Sequence, residues 1–160
     1  MIFEKANIND VSVLAKLRIE YLLEDYGELS EDSLTIIANN LQVYFQEHLN
    51  KDLLVFVCRN TDEIVSCCFL CVSEKPPNPT FINGKTGTIL NVYTKPEYRK
   101  NGIAGKLLNM LLAESEKIGL DFVELKATDS GYSLYKSIGF EDVLSKYHNM
   151  KYVIDPNNKF

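Results

Sequence analysis

Basic residues never run longer than a pair in this chain, and 17 Lys and Arg against 22 Asp and Glu leave a net charge of −5. That excludes the concentrated positive surface that a nucleic acid or an anionic membrane requires. Long apolar runs are missing as well. None approaches membrane-spanning length, and Met1 to Asn9 lack the basic start and apolar stretch of a signal peptide. A cytoplasmic location is expected. Histidine is scarce: His48 falls on an apolar helix stripe and His148 in a polar late segment, neither near a metal-like or triad-like partner. Both read as structural. The signature GxxxxGK followed by Ser or Thr is absent, and no GxGxxG follows the first strand. Kinase and dehydrogenase readings lose their support.

What is present suits one domain over residues 1–160, because 160 residues with 46% hydrophobic content fill a single core. No repeat, low-complexity segment or linker divides the chain. The four cysteines, Cys58, Cys67, Cys68 and Cys71, crowd into apparent strands and read as buried thiols. Cys68 and Cys71 match CxxC, but that spacing on a strand points them to opposite faces. No metal site is expected.

Asn7 and Asp10 resemble a helix cap, and Val11, Leu14, Leu17 and Tyr21 recur at helical spacing, which predicts a helix over 8–25 closed by Gly27. Ser30 caps a second helix to about Asn50, with Leu34, Ile37, Leu41 and Phe45 on its stripe. The apolar runs 53–58 and 64–72, joined by a polar turn at 60–63, predict an antiparallel hairpin. Pro76, Pro77, Pro79, Gly84 and Gly87 make 74–87 a loop long enough to overhang a site. A strand over 88–94 leads into a helix from Ala104 to Ile118, ended by Gly119. A strand over 122–127, a helix capped by Asp129 through Ile138, and late strands over 140–143 and 150–154 complete the order ααββ-βαβαββ. The β-α-β crossover within a mostly antiparallel chain implies an α/β (α+β) fold with a mixed sheet flanked by helices.

Arg99-Lys100-Asn101-Gly102-Ile103-Ala104-Gly105 lies between a strand and a helix N-terminus, so its backbone N–H groups can converge on an anion. The small residues let a diphosphate approach, and Arg99 and Lys100 add positive charge beside the helix dipole.

Arg99 to Ala104 matches the phosphate loop of the GCN5-related N-acetyltransferase (GNAT) superfamily, which reads Gln or Arg, two residues, Gly, one residue, then Gly or Ala. Residues 90–99 resemble that family's strand into the loop, and 134–140 (Leu-Tyr-Lys-Ser-Ile-Gly-Phe) its late helix-to-strand junction. The resemblance covers roughly 53–152, and the opening helices fit the family order. It implies acetyl-CoA as co-substrate, with the backbone of Val92, Tyr93 and Thr94 on the pantetheine arm and the amides of Arg99 to Gly105 on the diphosphate. It also implies that Tyr135 lies near the coenzyme sulfur as general acid. A thiol near pKa ~8.5 and a phenol near ~10 make that transfer about 2 kcal/mol uphill.

An acceptor amine of pKa ~10.4 costs about 4.6 kcal/mol to deprotonate at pH 7, so a base would help. Relatives carry a Glu or His where this chain has Thr88 or Leu90, neither of which accepts that proton. The remaining candidates include Glu24, Asp25 and Glu28, in the region that commonly lines the family's acceptor pocket, or a water chain to solvent. The wider acidic cluster, Glu20 to Asp32, suits a cationic acceptor as well as a solvated surface. The leading reading is therefore direct acetyl transfer to a primary amine of a small molecule or peptide. A non-catalytic acyl-CoA sensor and a protein-modifying acetyltransferase are the alternatives, and the resemblance allows a homodimer, a habit of the family.

Overall fold

The computed structural model describes residues 1–155, and its first element is a strand rather than a helix. β1 (Ile2–Lys5) is only four residues long and has no clean alternation, so the sequence reading passes over it. It is held by antiparallel pairing to β2 and by Glu4 on Arg59 at 2.6 Å and Lys5 on Glu114 at 2.6 Å. Asn7 and Asp10 form a reciprocal capping box, but around a 3-10 turn at Ile8–Asp10 that feeds α1 (Val11–Tyr26). Gly27, at φ 76°, stops α1. Ser30 caps α2 (Glu31–His48) through the Ser33 amide.

β2 (Leu53–Asn60) and β3 (Glu63–Glu74) form the expected hairpin, and β3 pairs antiparallel with β4 (Lys85–Thr94). α3 (Ile103–Lys117) then crosses over to β5 (Phe122–Leu125), which lies parallel to β4. The sheet order is β1-β2-β3-β4-β5, and α4 (Asp129–Ile138) follows, capped by Thr128 rather than Asp129.

Burial on both faces explains why β2 and β3 read as unbroken apolar runs. Val55, Val57, Cys67 and Phe69 pack with Leu14, Leu17 and Phe45 under α1 and α2. Leu54, Phe56, Cys68 and Leu70 pack with Leu107, Leu108 and Leu111 of α3. The four cysteines are free thiols, three of them buried. Phe45, 1% exposed, meets Phe69 edge-on at 5.5 Å. Phe45→Ala should cost about 3–5 kcal/mol of stability, read as a lower urea midpoint at unchanged slope.

The loop expected over 74–87 is not formed in full, because Glu74 belongs to β3 and Lys85 to Gly87 belong to β4. In the remaining loop Lys75 N–H donates to the Gly84 carbonyl, Asn83 N–H to the Asp121 carboxylate, and Phe81 stacks edge-on with Phe122. The loop is thus pinned to the start of β5, at the opposite end of β4 from Thr94. The late strands over 140–143 and 150–154 are not formed either. Phe140 N–H turns back to the Tyr135 carbonyl, and Asp142 accepts from the Tyr132 hydroxyl at 2.8 Å, so this segment follows α4 instead of a ladder. Its apolar side chains, Leu144 and Met150 among them, stay exposed. No described helix is long and apolar enough to cross a membrane.

Candidate active site

β5 pairs only with Thr86 to Ile89, so among the described residues β4 runs on through Leu90–Thr94 with no neighbouring strand on that side. Leu90 is also the extra residue of a β-bulge, since Ile89 opposes Leu70 and Asn91 opposes Phe69. A strand paired on one side only offers N–H and C=O groups to whatever lies beside it. Val92, Tyr93 and Thr94 occupy this open stretch. The Tyr93 side chain turns away from it, buried edge-on against Tyr21 at 6.5 Å.

Thr94 leads through a 3-10 turn (Pro96–Tyr98) into residues 99–102 and α3. Lys100 and Gly102 both have left-handed backbones, φ 60° and 72°. Gly102 is the residue before the helix and brings no side-chain cap, so the first-turn amides of Ile103, Ala104 and Gly105 have no partner within the helix. A Cβ on Gly102 would meet nothing within 4 Å and would stand in open space. Asn101 braces the turn by donating to the Tyr98 and Arg99 carbonyls. Free backbone N–H groups at a helix N-terminus are the kind of group that binds anions. Ile103 commits its side chain to the core, and Gly105 faces Leu134 of α4.

Arg99 does not reach over these amides. Its Nε donates to the Thr94 carbonyl at 2.8 Å, its Nη2 binds Glu24 at 2.5 Å, and its guanidinium lies 5.7 Å from the Tyr93 ring centre. It ties α1 to the end of β4. Glu24 is consequently engaged, and Asp25 accepts from the Tyr21 hydroxyl at 3.4 Å. Glu28 lies exposed beyond the helix end.

Tyr135 is half-buried in α4, its ring edge-on to Phe140 at 5.8 Å. Burial pushes its phenol up to about 12, and the charged forms of Cys68 and Tyr21 act in the same direction. Sequence reasoning missed Gly131, one turn before Tyr135: a Cβ there would come within 3.0 Å of the Tyr135 ring. The i, i+4 spacing carried that signal.

Cys67, fully buried, is likewise raised to about 12 from 9.0 by desolvation. Both groups hold in the folded state protons that the unfolded chain releases sooner. Their contribution to stability is complete below pH ~9 and is lost as pH rises through about 9–12. Urea midpoints measured from pH 8 to 11 should therefore fall on the alkaline side.

A family model of the acetyltransferase (GNAT) domain matches residues 51–142, more than half of the chain, and the chain belongs to that family. No curated protein matches it. Among solved structures, it is similar to a predicted acetyltransferase from Clostridium acetobutylicum crystallised with acetyl-CoA, at 28% identity over 94% of this chain and 95% of that one, TM-score 0.83. It is also similar to a GCN5-related N-acetyltransferase from Ralstonia eutropha JMP134, at 24% identity over 93% and 97%, TM-score 0.78. A ribosomal-protein-alanine N-acetyltransferase from Brucella melitensis biovar Abortus 2308 shares the fold at 17% identity over 94% and 100%, TM-score 0.67.

Proposed function

We propose that the chain transfers an acetyl group from acetyl-CoA to a primary amine, with both substrates bound together. The observation that carries this reading is the edge of β4 that β5 leaves uncovered at Leu90–Thr94, followed along the chain by the uncapped N-terminus of α3. A pantetheine arm and a diphosphate need those two features in that order. The relative crystallised with acetyl-CoA shares the fold over almost the whole chain, which supports the same donor here.

In the net reaction the amine nitrogen bonds to the acetyl carbon, the carbon–sulfur bond breaks, and the proton lost by nitrogen is balanced by one gained at sulfur. Acetyl-CoA supplies the activated acyl group. The backbone of Val92 to Thr94 orients it, and the amides of Ile103 to Gly105 hold the diphosphate. Tyr135 keeps its proton throughout the physiological range and presents it at Oη toward the departing sulfur. With the phenol near 12 and a thiol near ~8.5, full transfer costs about 5 kcal/mol, more than the ~2 kcal/mol of an ordinary phenol. Tyr135 thus acts by donating a hydrogen bond as charge grows on sulfur, with proton transfer completing late.

Glu24 is a poor candidate for the base, since Arg99 occupies its carboxylate. Asp25 is better placed, linked to the site through the Tyr21 hydroxyl. The test is thiol release from acetyl-CoA across a panel of amines. Turnover with at least one amine, absent without protein, is expected. Tight coenzyme binding with no turnover on small amines or peptides would favour a sensor.

A further inference from the structure

The sequence contains three arginines. Arg59 is held by Glu4 at 2.6 Å and Asp10 at 2.7 Å, and Arg99 by Glu24 at 2.5 Å. Arg18, on α1, has no carboxylate at ion-pair distance among the described residues. Its Nη1 donates to two neutral oxygens, the Leu90 carbonyl at 3.2 Å and Asn91 Oδ1 at 3.0 Å, and its guanidinium lies 5.1 Å from the Tyr21 ring centre. The side chain is half-buried, and burial pulls its pKa below the usual value. A guanidinium carries five donors in a planar fork, so a partly desolvated one that meets only neutral acceptors is electrostatically incomplete.

Its position gives the incompleteness a meaning. Leu90 is bulged out of the β3 ladder, which resumes at Asn91, and lies just past the last pairing of β4 with β5. Arg18 therefore stands at the mouth of the opening, on the α1 side of the sheet, while α4 with Tyr135 lies on the other. Asn91, 2% exposed, fixes the guanidinium from below and donates to Cys67 Sγ at 3.5 Å.

We propose that Arg18 binds a carboxylate of the acceptor, so that the acceptor is a small amino-carboxylate and not a simple amine or polyamine. This rests on the acetyl-transfer reading above. The fork pairs two-pronged with a carboxylate. Glu20, Glu24 and Asp25 lie on the same helix around Tyr93 and Tyr21, which opposes a dianion such as a phosphate and suits a zwitterion that brings its own ammonium.

The experiment compares each of the common amino acids with its α-carboxamide as acceptor, using the intact protein and the variants Arg18→Gln and Arg18→Lys. At least one amino acid should exceed its amide in kcat/KM by about 10²-fold. Arg18→Gln should bring that acid down to the amide's level through KM, leave the amide and the acetyl-CoA affinity unchanged, and be partly rescued by Arg18→Lys. Equal use of acids and amides by the wild type, or equal loss of both in Arg18→Gln, would overturn the inference. Calorimetry with N-acetyl amino acids in the presence of CoA is the second readout, independent of turnover. Carboxylate-dependent binding lost in Arg18→Gln supports the inference even if no amine is acetylated, whereas no binding of any N-acetyl amino acid refutes it.

Discussion

Gly102→Asp should erase the thermal stabilisation that acetyl-CoA gives the wild-type protein. A ligand present at a hundred times its Kd stabilises by about 2.7 kcal/mol, which for a chain of this size raises Tm by roughly 5–10 °C. Gly102 has φ 72° and an open space where its Cβ would stand, directly before the uncapped amides of α3. An aspartate there pays about 1 kcal/mol for the left-handed backbone and points its charge at those amides. One pair of like charges about 4 Å apart near a protein surface repels by about 4 kcal/mol, or nearly 10³ in affinity. Gly102→Ala separates the two effects. It carries the same backbone strain without the charge, so it should lower the coenzyme-free Tm as Gly102→Asp does and keep most of the ligand-induced shift. Equal loss of that shift in both variants would mean that backbone shape, not charge, governs coenzyme binding.

Tyr135→Phe should lower turnover by about 10² while leaving acetyl-CoA affinity within a few-fold of wild type. The ring's contacts with Phe140 and Gly131 survive the change, so only the hydroxyl is removed. Because burial holds Tyr135 near 12, its ionisation contributes no falling limb to the wild-type pH profile below about pH 10. A rising acidic limb reports deprotonation of the acceptor instead. Unchanged turnover in Tyr135→Phe across that range would remove the residue from the chemistry and leave the hydrogen bond to sulfur to another donor.

Much of this arrangement was readable in the sequence because it depends on local backbone chemistry. Ser30 and Gly27 mark helix ends through capping and left-handed φ, and the strand-glycine-helix order at 94–105 announces the uncapped start of α3 without any tertiary information. Contacts between distant segments were not readable. Arg99 looks like a phosphate ligand in sequence, yet Glu24, 75 residues away, takes its guanidinium. Nothing in the sequence singles out Arg18, and its hydrogen bond to the bulged Leu90, 72 residues away, exists only in the fold. β1 needs β2 and Arg59 to exist as a strand, so four residues of weak pattern could not declare it. The late apolar runs over 140–154 have strand-like composition, but Asp142 and Phe140 tie the start of that segment to α4.

Calorimetric titration of the wild-type protein with acetyl-CoA tests the central claim most directly. Saturable 1:1 binding in the micromolar range, competed by CoA and weakened at least tenfold when the coenzyme lacks its diphosphate, is the predicted result. Absence of binding at millimolar acetyl-CoA by folded protein would contradict the account, because the open β4 edge and the uncapped α3 terminus would then hold no coenzyme.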